Sequence, residues 1–156
     1  MTGPPDARSA WIQAHSTIAV ATRGPRLHAI TREAQAAVEA SGVDSGSCQL
    51  LVLHTSASLL IQENADPAVQ RDLQAFFARL VPEGGALYEH DAEGPDDMPA
   101  HLKAALTPVS LAVPVSGGQL RLGRWQGIYL WEHRRGAHER RIAVHVFGEQ
   151  GRHRAP

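Results

Sequence analysis

Hydrophobic and polar positions alternate along most of this chain with a period of two, and a helical period takes over in three stretches. A period of two marks a strand with one buried face, and a period near 3.6 marks an amphipathic helix. Trp11 to Thr22 reads as a long strand with Ile18 and Val20 on one face. Arg23-Gly24-Pro25-Arg26 is a turn, and Leu27 to Ile30 a short strand. Thr31 is the expected N-cap of an Ala- and Glu-rich helix that ends near Gly42, at the C′ position. Ser47 to His54 is again a strand, and its run Leu50-Leu51-Val52-Leu53 predicts burial on both faces.

The stretch from His54 to Leu73 carries the densest chemistry. Ala57, Leu59 and Ile61 share one face of a strand, and Glu63 continues that face at its end. The strand breaks at Asn64. Asp66 is the expected N-cap of the next helix, with Pro67 at its first position. Val69, Leu73, Phe76, Phe77 and Leu80 recur at helical spacing and are expected inward. A long loop, Pro82 to Asp97, follows, rich in acidic residues; structureless loops of that length are often functional. Asp97 is expected to cap a short helix, Met98 to Leu106. Val109 to Val115 alternates as a strand, and Ser116 to Gln119 turns it into Leu120 to Leu122. Gln126 to His133 is a strand with Tyr129, Trp131 and His133 on one face and Ile128, Leu130 and Glu132 on the other. Arg134 to Glu139 reads as a charged loop. Arg140 to Phe147 closes the sheet with Ile142, Val144 and Val146 inward. Strands at both ends with about three helices between them argue for an α+β fold, mostly antiparallel.

Composition narrows this picture. The 156 residues suit one domain, with a core from about 11 to 149 and flexible ends at 1–9 and 152–156. No apolar run approaches a membrane span, and the first residues lack a signal-peptide pattern, so a cytoplasmic protein is expected. A net charge of −1 removes any general electrostatic case for nucleic acid or an anionic membrane as partner. The single cysteine, Cys48, excludes an internal disulfide and Cys-rich zinc motifs. Nine histidines are the one compositional hint of metal or acid–base chemistry.

Three polar clusters stand at element edges: His54 with Glu63, Asn64 and Asp66; Asp96-Asp97-Met98-Pro99-Ala100-His101; and Gly123-Arg124-Trp125-Gln126-Gly127 followed by Glu132-His133-Arg134. His, Asp and Glu from separate elements are the makings of a metal site with open positions. Each also has a plainer reading. His54 can be a strand-end histidine bonded to backbone, Asp66 and Asp97 helix caps, His101 a surface histidine, and His133 a strand-end residue near Trp131. Glu132 is odder, because an ionised carboxylate on an apolar face needs a partner. Burial would raise its pKa, and a metal or Arg134 would lower it. Ser56 and Ser58 lack a nucleophile elbow, and no Walker loop or dinucleotide fingerprint occurs. Arg71, Lys103, Arg124, Arg134 and Arg135 are candidate phosphate partners.

His54-Thr55-Ser56-Ala57-Ser58 with Glu63-Asn64-Ala65-Asp66-Pro67, then Pro95 to His101, then Trp125-Gln126-Gly127-Ile128 with Glu132-His133-Arg134, closely resemble the YjbQ-like family. The resemblance runs from about Trp11 to Glu149. Leu60, Gln62 and Trp131 depart from the family pattern. The resemblance implies a compact α+β sandwich, assembly as a homotrimer, and a metal pocket lined by these histidines and acids. It also implies a weak secondary thiamine-phosphate synthase activity, which joins a pyrimidine-methyl diphosphate to a thiazole phosphate. Residues and resemblance together give an expected site. His54, His101 and His133 hold a divalent metal, Mg or Zn. Glu132, Glu63 and Asp66 are its catalytic acids, with Glu132 foremost. Asn64, Ser56, Asp97, Trp125, Gln126 and Arg134 contact a small phosphorylated substrate. A metal-dependent hydrolase of small phosphate esters and a non-catalytic trimeric binding protein are the alternatives.

Overall fold

A computed structural model describes residues 10–151, so the expectations for the two ends, 1–9 and 152–156, lie outside the described residues. The elements are β1 (Trp11–Arg23), β2 (Arg26–Ala29), α1 (Thr31–Ser41), β3 (Val43–Val52), β4 (Ala57–Glu63), α2 (Pro67–Leu80), α3 (Asp97–Leu106), β5 (Ser110–Ser116), β6 (Gln119–Leu120), β7 (Gln126–Glu132) and β8 (Ala137–Gln150). They form one α+β domain with three α-helices among the described residues. A five-stranded sheet, β1-β8-β3-β5-β6, faces a three-stranded sheet, β2-β7-β4, and every pairing is antiparallel.

Alternation explains the layers. Cys48, Leu50 and Val52 of β3, Val113 and Val115 of β5, and Ile142, Val144 and Val146 of β8 point into the sandwich. They meet Ala57 and Leu59 of β4, Ile128 and Leu130 of β7, and Ala34 and Val38 of α1. The opposite face of the small sheet carries Leu27, Tyr129 and Trp131, which pack on Leu73 and Phe77 of α2. On the β3–β8 ladder Gly46 faces Gly148, and a side chain at either glycine would run into the partner strand's backbone.

Several boundaries move from the sequence reading. β8 begins at Ala137, three residues before the expected start, and extends to Gln150. Thirteen residues of β1, Trp11 to Arg23, pair with its stretch from Ala137 to Glu149, and backbone hydrogen bonding carries polar residues into the strand. β3 begins at Val43 rather than Ser47 and stops at Val52, which leaves His54 in the loop before β4. Thr31 is the first residue of α1, not its cap; its hydroxyl accepts from Ile128 N at 2.9 Å and ties the helix to β7. Phe76 and Leu80 of α2 are more than half exposed, so only the Val69, Leu73 and Phe77 stripe is drawn in. Asp66 caps α2 as expected, accepting from Ala68 N at 2.8 Å.

Candidate metal centre

Asp97 opens α3, and helical spacing puts His101 one turn further on the same face. His90 approaches from the long loop before the helix. Its Nε2 lies 2.8 Å from Asp97 Oδ2, and His101 Nε2 lies 3.3 Å from the same oxygen. The three donor atoms fall within 4.8 Å of one another, the one such group of His, Cys, Asp and Glu among the described residues. Tetrahedral ligands about 2.0–2.1 Å from a zinc-sized ion sit about 3.3 Å apart, close to these separations.

The surroundings orient each donor. His101 Nδ1 is 3.0 Å from the carbonyl oxygen of Thr55, so Nδ1 carries the proton and Nε2 presents its lone pair. Asp97 is 2% exposed, and its second oxygen is taken by Nη1 of Arg134. Arg134 is fixed in turn. Its Nε donates to Asp96 Oδ2 at 3.0 Å, and its Nη2 donates to the carbonyl of Glu93 at 2.9 Å. The backbone N of Arg135 also donates to Asp96 Oδ2. Burial pushes the Asp96 carboxyl up, but these donors outweigh it and hold its pKa below the usual range. Two imidazoles and one carboxylate, with coordination positions left over, is the donor set of catalytic rather than structural zinc-type sites.

The second polar cluster lies inside the sandwich, around Glu132. Arg140 grips both carboxylate oxygens, Nε to Oε2 at 2.6 Å and Nη2 to Oε1 at 2.7 Å. Thr22 donates to Oε2 at 2.6 Å, and the backbone N atoms of His133 and Arg134 each donate to Oε1 at 3.0 Å. Burial works against the anion, yet these bonds hold its pKa below the ordinary carboxylate value. With five donors and no exposure, Glu132 has no lone pair for a substrate or a metal. The catalytic role expected for Glu132 thus finds no free lone pair in this structure, and its neutralising cation is Arg140, not the Arg134 side chain.

The expected metal trio is likewise divided. Nδ1 of His54 accepts from Ser56 N at 3.2 Å and lies 3.1 Å from Ser56 Oγ, which itself accepts from Arg140 Nη2. Burial and the Arg140 charge lower the His54 pKa. His133 is buried, with Nε2 2.9 Å from Ser58 Oγ; burial, helped by the Lys103 charge, pushes its pKa down to about 3. Only His101 of the three belongs to the gathered donor set.

Glu63, Asn64, Asp66, Trp125 and Gln126 form a separate group. Glu63 pairs with Gln126 at one end of the β4–β7 ladder and Ala57 with Glu132 at the other. Six residue steps at ~3.3 Å put the two ends about 20 Å apart. Asn64 Nδ2 donates to the carbonyl of Gln126 at 3.2 Å, and Gln126 Oε1 accepts from Gly123 N at 2.8 Å. Trp125 lies exposed under the Arg124 guanidinium. Within the chain these residues build a strand-end clasp and a helix cap, and they do not meet the histidine cluster. Asp97 and Arg134, expected as substrate contacts, lie in the candidate donor cluster, Asp97 within it and Arg134 beside it.

Sequence reasoning missed His90, Arg140 and Thr22. His90 sits in the acidic loop singled out for its length. Arg140 shares the inward parity of Ile142 and Val144, the signal in the sequence that could have found it.

Comparison with known proteins agrees with this fold. Residues 16–149 match the family described as UPF0047 protein YjbQ-like. UPF0047 protein sll1880 of Synechocystis is 53% identical over 137 residues, covering 88% of this chain and 93% of that protein. UPF0047 protein YjbQ of Escherichia coli O157:H7 is 44% identical, covering 89% and 99%. Among solved structures, a YbjQ-like protein of unknown function from Sulfolobus solfataricus superposes with a TM-score of 0.82 at 27% identity, covering 90% of this chain and 100% of that one. A conserved hypothetical protein of Thermus thermophilus gives 0.74 at 37% identity, covering 83% and 97%. With the match spanning both sheets and the loop that supplies His90, this chain belongs to the YjbQ-like UPF0047 family.

Proposed function

We propose that the chain is a divalent-metal-dependent enzyme that hydrolyses small phosphate esters, with His90, Asp97 and His101 as the protein ligands. The observation that carries this reading is the buried Asp97 carboxylate, which gives one oxygen to Arg134 and aims the other at two imidazoles. Imidazole donors favour Zn²⁺ or Fe²⁺ over Mg²⁺. Such an ion supplies a concentrated positive charge against a phosphoryl group. The chain's own residues do the positioning. Thr55 fixes the His101 tautomer, and Arg134 holds Asp97 and links it to Asp96.

The secondary thiamine-phosphate synthase reaction implied by the resemblance is the second reading. What favours it is the concentration of carboxylates around Arg134, including Glu93 and Asp96, since oxygen donors suit Mg²⁺. The same reading has the chain assembling as a homotrimer. The outer face of the large sheet supports this, because it carries exposed Leu51 and Trp11 and the stacked pair His15–His145. Light scattering at micromolar concentration tests the assembly, and a monomer there excludes it.

Elemental analysis of purified protein, followed by phosphate-ester hydrolysis with Zn²⁺ or Mg²⁺, tests the function. The hydrolase reading expects roughly stoichiometric Zn or Fe, lost in His90→Ala and His101→Ala together with turnover. Mg²⁺-dependent joining of the two thiamine precursors without ester hydrolysis would replace it with the synthase. Tight metal without turnover would leave a binding protein.

A further inference from the structure

A cavity of about 380 Å³ opens between α2, α3 and the end of β7. One wall is aromatic: Trp131 and Phe77 meet edge to face, with centroids 4.9 Å apart at 73°. Trp131 is 2% exposed, so its ring is held in place by packing. Ala78 of α2 leaves the space beside these rings open. Three titratable residues reach the cavity, Glu83, Lys103 and His133, beside the amide of Gln74, and none is a ligand of the candidate metal cluster.

The charges of this cavity do not cancel. Glu83 is taken by the guanidinium of Arg135. His133 is neutral, and Ser58 fixes its ring. Asp96, just before α3, is engaged by Arg134 and by the backbone of Arg135, and Asp97 is engaged by Arg134. That leaves the Lys103 ammonium, partly buried at the cavity wall and without a hydrogen-bonded or salt-bridged partner among the described residues. A cation half withdrawn from water without a counter-ion is unfavourable, and an anion entering the cavity relieves it. The volume lies near the small end of ligand pockets, room for one ring and its head group.

We infer that this cavity binds a small planar aromatic molecule bearing a carboxylate or phosphate, with the ring against Phe77, which Trp131 backs, and the anionic group on Lys103. The inference stands apart from the hydrolase reading, because it uses none of the metal donors.

Calorimetric titration of the full-length protein with 4-nitrobenzoate, phenyl phosphate and the neutral 4-nitrobenzamide tests it. At least one of the two anions binds, and the amide binds tenfold or more weakly. Lys103→Met weakens the anion by roughly 10- to 100-fold, the scale of one charge-assisted hydrogen bond, and leaves the amide unchanged. Lys103→Arg, which keeps the charge, restores most of the binding. Ala78→Leu fills the cavity and abolishes anion binding at an unchanged melting temperature. His90→Ala retains the anion. Failure of both anions to bind at millimolar concentration overturns the inference, as does equal binding of the amide or wild-type affinity in Lys103→Met or Ala78→Leu. Loss of the anion in His90→Ala overturns it as well, since the ligand would then sit on the metal.

Discussion

Glu132 and Asp97 are both nearly inaccessible carboxylates, each gripped by an arginine, and they end up with opposite capacities. Around Glu132 five donors saturate both oxygens, and the donors come from β1, β8 and the backbone that follows β7. Around Asp97 the arginine takes one oxygen, and the other faces two imidazoles whose nitrogens are themselves able to bind a cation. Burial of an acid is thus no guide to its role by itself. A buried acid whose lone pairs are all answered by protein donors holds the fold, and one with an oxygen turned toward two imidazole nitrogens is a candidate for a cation.

The largest effect expected from this contrast is at Arg140. Arg140→Met keeps the side chain's bulk but strands the Glu132 charge inside the sandwich, and breaking a buried pair this way costs about 3–5 kcal/mol. Urea unfolding should show that loss, with metal stoichiometry per folded molecule unchanged. If metal is lost in step with the arginine while stability holds, the two carboxylates do not have separate roles.

Acid should expose the next difference. His133 binds its proton near pH 3 in the folded chain, against an ordinary histidine value of 6.5. Between those limits the unfolded chain holds more protons, so stability falls as pH drops. The slope contributed by His133 is about 1.4 kcal/mol per pH unit, or about 2 kcal/mol between pH 6.5 and 5. The depressed pKa of Glu132 adds loss of the same sign at lower pH, below its unfolded value. His133→Gln should flatten the upper part of the curve, and an unchanged slope would show that the imidazole is not held neutral.

A smaller effect belongs to the open side. Arg134→Gln removes the support of Asp97 and should weaken metal binding by roughly 10- to 100-fold, the range for an outer partner of a metal ligand. Competition with a chelator of known affinity measures it. Affinity within twofold of wild type would mean that Asp97 does not depend on its arginine for aim.

The smallest change is at the far end of the β4–β7 ladder. Asp66→Ala removes the cap of α2 and should cost about 1 kcal/mol, with metal affinity and turnover untouched. A turnover loss of tenfold or more at unchanged stability would return Asp66 to the catalytic site, supplied from another subunit.

The sequence by itself determined the strand and helix identities, the inward parity of β7 and β8, the Asp66 cap and the family. These are legible because alternation, helical spacing, capping chemistry and local motifs are properties of neighbouring residues. It marked Glu132 as a charge needing a partner, and it marked the Pro82–Asp97 loop as long enough to matter. What it did not determine was which polar residues meet. Arg140 reaches Glu132 only because β8 faces β7 across the sandwich. His90 reaches Asp97 only because the loop folds back over the first turn of α3. His54, His101 and His133 look equivalent as letters, yet Nδ1 of His54 accepts from Ser56, Nδ1 of His101 donates to Thr55, and Nε2 of His133 meets the Ser58 hydroxyl. Long-range pairing of side chains is settled by how layers pack and which lone pairs remain unanswered, and that information exists only once the sheets and helices are assembled.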